Sequence, residues 1–157
     1  MWAAAVMRVS VVIPCYKDAH TLARALDSVL GQSRQVDEII VVNDASPESH
    51  EIEAVMDGYP QVRYIINSQN MGLAATRNVG VEMATGDVIS FLDADDQLHP
   101  QKIEFQCSIL KDGSAVSCDS VRFANEEDLL IRNFDPDFKC KECKKSCLLY
   151  TSDAADE

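Results

Sequence analysis

Apolar runs and helix-spaced stretches alternate along the first 110 residues. Residues 8–14 (RVSVVIP) form a β-branched run long enough for one buried strand. From 20 to 32, apolar side chains recur at Leu22, Ala25, Leu26, Val29 and Leu30, the spacing of one helix face, and Gly31 stands near the end as a stop. Residues 36–42 (VDEIIVV) predict a second strand. Ser46 before Pro47 predicts an N-cap with proline at the first helical position, opening a helix from 47 to about Tyr59. A third strand is expected at 62–66 and an Ala-rich helix at 73–84, closed by Thr85-Gly86. A fourth strand follows at 88–92, a fourth helix from Pro100 to about Lys111, and a fifth strand at 115–123.

Strands alternating with helices of about 12 residues imply right-handed crossovers. The expected fold is therefore α/β: a doubly wound, mainly parallel, Rossmann-like sheet with flanking helices. The strands lack apolar/polar alternation, which fits burial on both faces. In such sheets ligands sit beyond the carboxyl ends of the strands. Three polar clusters fall there: Cys15-Tyr16-Lys17-Asp18, Asn43-Asp44-Ala45-Ser46 and Asp93-Ala94-Asp95-Asp96. The third puts three carboxylates within four residues. Like charges so close repel and resist burial, and hard oxygen ligands of this kind suit Mg²⁺ or Mn²⁺, which in turn hold phosphate oxygens.

The 157 residues suffice for one domain with a core. The net charge of −12, from 26 acidic and 14 basic side chains, argues against nucleic acid as a partner. An anionic small ligand would need local neutralisation, which a divalent cation supplies. No apolar run approaches the roughly 20 residues that span a bilayer. Residues 1–6 lack the basic start of a signal peptide. Cys15, Cys107 and Cys118 read as small buried hydrophobes in a reducing compartment.

Several chemistries are disfavoured. The turn after the first strand, residues 14–20, contains no glycine, so a backbone could not approach a dinucleotide pyrophosphate. No GxxxxGK[ST] loop occurs. An aspartyl phosphatase would carry its DxD after the first strand, not the fourth. An EF-hand would need glycine where Leu98 stands.

Five segments resemble family 2 glycosyltransferases of the GT-A fold. They are residues 8–17 (RVSVVIPCYK), 26–33 (LDSVLGQS), 38–46 (EIIVVNDAS), 70–80 (NMGLAATRNVG, matching N-x-G-x-x-x-x-R-N-x-G) and 86–96 (GDVISFLDADD, matching G-[DE]-[YV]-[IL]-x-F-L-D-x-D-D). The resemblance runs in order from about Val9 to about Leu110. It implies transfer of a sugar from a nucleotide-diphosphate sugar, with a UDP-sugar as expected donor, to an acceptor hydroxyl with inversion. It also implies site residues. Asp44 contacts the nucleoside, Pro14 and Tyr16 line the base pocket, and Arg77 lies near the nucleotide. Asp93 contacts ribose or the metal shell. Asp95 coordinates the divalent Mg or Mn, with Asp96 as a further carboxylate there. The acceptor, a saccharide, lipid or protein, is not specified.

The family's catalytic base is a carboxylate in a later segment, and no counterpart stands out after Val121. The expectation is a partial domain over 7–139 that binds donor weakly or not at all and turns nothing over. The alternative is a non-catalytic nucleotide-sugar-binding module or inactive remnant. Residues 140–157 resemble translated adapter sequence and are expected to be non-native or disordered. Cys140, Cys143 and Cys147 have no nearby histidine and no second CxxC to complete a zinc site. The expected location is cytoplasmic, with the intact enzyme peripheral to the inner membrane face.

Overall fold

The computed structural model describes residues 7–110, 115–116 and 150–151. The elements run β1 (Val9–Cys15), α1 (Ala19–Leu30), β2 (Glu38–Asn43), α2 (Ser49–Met56), β3 (Arg63–Ile66), α3 (Leu73–Met83), β4 (Val88–Phe91), α4 (Lys102–Ile109) and the short β5 (Tyr150–Thr151). The sheet order is β3-β2-β1-β4-β5. β1 is parallel to both β2 and β4, β2 is parallel to β3, and β5 pairs antiparallel with β4. This is the expected doubly wound sheet, with β1 at its centre.

The absence of alternation in the strands has a direct cause. Along β1, Val9, Val11, Ile13 and Cys15 enter one apolar cluster and Val12 enters another. β2 divides in the same way: Ile39 and Val41 join the first cluster, Ile40 and Val42 the second. All seven β1 residues are buried. The first cluster also takes Leu22, Leu26 and Val29 of α1, Ile52 of α2 and Ile103 of α4, and the second takes Val79 and Val81 of α3. A chain covered on both faces writes its strands as unbroken apolar runs. The polar exception, Ser10, is buried and donates to Glu38 Oε2 at 2.7 Å, while accepting from the Gly86 amide at 2.9 Å.

The structure corrects three expectations. First, α2 begins at Ser49, not at 47. Ser46 does not cap it. Its Oγ accepts the Glu48 amide at 3.1 Å and the Lys17 amide at 3.0 Å, so it ties the turn after β2 to the turn after β1. Pro47 and Glu48 lie in a turn as a result. Second, Ala115 and Val116 belong to no strand, and the rest of the expected fifth strand, 117–123, lies outside the described residues. Third, α4 starts at Lys102. His99 and Pro100 precede it in a turn, where His99 Nδ1 accepts the Gln101 amide at 3.2 Å. Apart from Tyr150–Thr151, residues 140–157 lie outside the described residues.

Two loops carry non-glycine residues in the left-handed region, Lys17 at φ 62° and Ala45 at φ 51°. Alanine there costs roughly 1 kcal/mol because Cβ crowds the following carbonyl. Ala45→Gly is expected to stabilise the fold by about 0.5 kcal/mol, since relief of strain outweighs the extra freedom of glycine in the unfolded chain. Urea denaturation checks this; a lower midpoint for the variant would contradict it.

Candidate functional site

The carboxyl ends of β1, β2 and β4 open on a cleft of about 300 Å³. Pro14 lines it from β1 and Tyr16 from just after it, Asp44 from just after β2, and Asp93 and Asp95 from the turn after β4. The fourth contribution comes from Asn70, Gly72 and Leu73, where the chain enters α3. All three polar strand-end clusters therefore converge. Arg77 and Asp96 do not line the cleft.

Asp44 is 3% exposed, and its acceptor capacity is largely used. Oδ1 accepts from Asn67 Nδ2 at 2.8 Å and from the Met71 amide at 2.8 Å, and Oδ2 accepts from the Gly72 amide at 2.9 Å. Burial alone would raise its pKa. Hydrogen bonds from Asn67, Met71, Thr76 and Gly72 outweigh that and hold the carboxyl below its ordinary value. Asp44 thus fastens the turn that leads into α3, with Gly72 at φ 83° as its left-handed member.

Arg77 reaches across from α3 and donates from Nη2 to Asp93 Oδ1 at 2.6 Å. Its guanidinium carbon lies 5.8 Å from the centroid of the Phe91 ring. The arginine therefore pairs with Asp93 without itself lining the cleft. Asp95 is exposed and accepts no hydrogen bond among the described residues. Asp96, beside it, has a raised pKa, first through burial and then through the charges of Asp95 and Asp93.

The sequence reading did not single out Asp18, which also lines the cleft. It stands at the N-cap position of α1 yet makes no side-chain capping bond. Its pKa is raised, chiefly by burial; the Tyr16 amide works against the shift and the charge of Asp95 adds to it. The signal was its place in the first polar cluster, two residues after Tyr16. Cys15, also in the cleft wall, is 1% exposed, and burial pushes its thiol up to about 12, so it is no nucleophile at neutral pH.

These shifts fix a pH dependence. Asp44 has a lowered folded pKa, so its stabilisation is present above the unfolded value and is lost as pH falls through the folded one. Asp18 and Asp96 have raised folded pKa values, so their ionisation opposes folding at neutral pH and this cost disappears in acid. Asp96→Asn is therefore expected to raise the urea midpoint near neutral pH, with the gain shrinking toward acid. A gain that is constant with pH would contradict this.

Among the described residues, no three His, Cys, Asp or Glu side chains converge as a metal cage. The donor set nevertheless suits a hydrated divalent cation. Mg²⁺ is usually held by one or two carboxylates together with water and substrate phosphates. Asp95 and the oxygen of Asp93 not paired with Arg77 would be donors of that kind.

A model of glycosyl transferase family 2 matches residues 10–153. The chain belongs to this family. Among curated relatives of this glycosyltransferase chain is an uncharacterized glycosyltransferase of Rickettsia bellii, 39% identical over 103 residues, covering 65% of this chain and 15% of that protein. YibD of Escherichia coli, also an uncharacterized glycosyltransferase, is 36% identical over 99 residues, covering 62% of this chain and 28% of its own length. The amylovoran biosynthesis glycosyltransferase AmsB of Erwinia amylovora is 30% identical over 106 residues, covering 65% and 35%. The chain thus spans well under half the length of these relatives.

Solved structures agree on the fold. The mannosyltransferase PcManGT of Pyrobaculum calidifontis, in complex with GDP-Man and Mn²⁺, aligns with a TM-score of 0.65 at 23% identity, covering 75% of this chain and 37% of that one. S. aureus TarS 1–349 in complex with UDP aligns at 0.58 and 22% identity, covering 69% and 33%. The sheet is that of a GT-A glycosyltransferase. No helix among the described residues is long and apolar enough to cross a membrane.

Proposed function

We propose that this chain is the nucleotide-binding part of an inverting glycosyltransferase that takes a nucleotide-diphosphate sugar, with a UDP-sugar as the donor. The observation that carries this reading is the convergence of Tyr16, Asp44, Asp93 and Asp95 on one cleft at the carboxyl edge of the sheet. A nucleotide bound there lies where doubly wound sheets take ligands. Tyr16 is 39% exposed and offers an aromatic face to a base.

Asp95, with Asp93 and Asp96 beside it, would hold Mg²⁺ or Mn²⁺. Bound there, the cation offsets charge on the departing nucleoside diphosphate as a Lewis acid. Arg77 holds Asp93 in place through the 2.6 Å ion pair. Asp44 keeps the turn before α3 closed on the cleft. The acceptor hydroxyl attacks the anomeric carbon from the face opposite the leaving diphosphate, which gives inversion. We assign the carboxylate that takes its proton to a segment outside the described residues.

Calorimetric titration with UDP, GDP and NAD in the presence of Mn²⁺ tests the ligand class. Weak binding of UDP, exceeding that of GDP and with no response to NAD, is expected. Preference for NAD would overturn the reading. Turnover of a UDP-sugar by a chain ending at Leu110 would overturn the placement of the base.

A further inference from the structure

We infer that Ser28 and Gln32, in and just after the last turn of α1, are positioning residues that hold the carboxylate turn after β4 in its cation-binding arrangement. The inference rests on the nucleotide reading above and extends it to two residues that do not line the cleft.

Asp95 is exposed and accepts no hydrogen bond among the described residues. Its place is therefore set by the backbone on either side. On the β4 side, the Leu92 amide donates to Val12 O at 3.1 Å, and Arg77 pairs with Asp93. On the α4 side, the anchors come from α1 and the residues that follow it. The Leu98 amide donates to Ser28 Oγ at 3.0 Å. Gln32 Nε2 donates to His99 O at 2.8 Å, and Gln32 Oε1 accepts the Ile103 amide at 3.0 Å. Residues 93–97 remain between the Leu92 and Leu98 anchors, with Asp95 in the middle.

Charge makes these anchors necessary. Asp93, Asp95 and Asp96 repel one another, so an unrestrained turn would open and separate them. Ala94 and Leu98 are buried in the same apolar cluster as Leu22, Leu26 and Val29 of α1. Apolar burial is non-directional, whereas the hydrogen bonds from Ser28 and Gln32 fix where each backbone group sits. Gln32 is 2% exposed, and its Nε2 also donates to Ser28 O at 3.0 Å, so the carboxamide is held at both ends. A side chain locked in this way passes the position of α1 on to the turn. A turn already in place loses little freedom when the cation arrives.

The test measures Mn²⁺ affinity in the presence of UDP, by water-proton relaxation, at a temperature where the variants compared are folded. Ser28 is half-buried, so Ser28→Ala is expected to fold. Ile52→Val, which trims the core under α2, is the destabilised control. Ser28→Ala is expected to weaken Mn²⁺ about tenfold and to shift the Asp95 and Asp96 amide resonances before any metal is added. Ile52→Val is expected to do neither. Gln32→Ala is expected to cause a loss at least as large as Ser28→Ala; a folded Gln32→Ala that binds Mn²⁺ like the wild type would overturn the positioning role. Unshifted resonances or unchanged affinity in Ser28→Ala, or an equal loss in Ile52→Val, would overturn it too and leave the nucleotide reading standing. Failure of the wild type to bind Mn²⁺ and UDP would overturn that reading and this inference with it.

Discussion

Replacing Gly80 with alanine is expected to destabilise the domain by about 3 kcal/mol. Gly80 is buried on the face of α3 that packs on β1. A Cβ there would overlap Val12 Cγ1 and come within 3.1 Å of Cγ2 and 3.2 Å of Cβ. Val12 is fully buried in the central strand and stiff at χ1, and its Cβ as well as both methyls is close, so the conflict cannot be relieved without cost. Alanine would gain about 1 kcal/mol of helix propensity over glycine. The overlap outweighs that, because the helix must either lift from the sheet or push the strand. Against a total stability of roughly 5–15 kcal/mol the loss is large. Urea denaturation of Gly80→Ala, Val12→Ala and the double variant would measure it. The double variant is expected to recover more than about 1 kcal/mol relative to the sum of the single changes. A neutral or stabilising Gly80→Ala would show that α3 does not sit as close as the structure has it.

The second large effect concerns Asp95→Ala, which is expected to weaken Mn²⁺-assisted nucleotide binding on the order of a hundredfold while leaving the fold intact. The carboxylates of the cleft are not equivalent. Asp44 is committed to the turn before α3, and Asp93 is paired with Arg77. Asp95 is exposed and accepts no hydrogen bond among the described residues, so its removal leaves no internal donor unsatisfied. Its loss also relieves the repulsion that, after burial, adds to the raised pKa values of Asp18 and Asp96. A small rise in the urea midpoint together with a collapse of metal-assisted binding is the expected combination. Enhancement of water-proton relaxation by Mn²⁺ reads out the second half. Unchanged enhancement with bound UDP would remove Asp95 from the metal site.

How legible these features were depended on what each residue faces. β1, β2 and β4 could be read because burial on both faces leaves an unbroken apolar run. β3, with Arg63 and Ile66 exposed at the edge of the sheet, was found through its Tyr64-Ile65-Ile66 run. The start of α2 was misplaced because Ser46-Pro47 carries the local signal of a helix start, while Ser46 Oγ is held by a partner 29 residues away, the Lys17 amide. No local pattern encodes such a bond. The same holds in the cleft. Asp93 and Asp95 stood out as charge at a strand end, whereas the hold of Asp44 on Met71 and Gly72 spans 27 and 28 residues. Asp18 stood in the first polar cluster without being singled out, and only the fold shows that its side chain lines the cleft and makes no capping bond.

The central claim is that this cleft holds a nucleoside diphosphate through Asp95 and a divalent cation. Titration of the chain with UDP, with and without Mn²⁺, in wild type and Asp95→Ala, tests it most directly. The account predicts weak binding in the wild type that requires Mn²⁺ and is lost in Asp95→Ala. Binding of equal strength without the metal, or metal-dependent binding that survives the substitution, would contradict it.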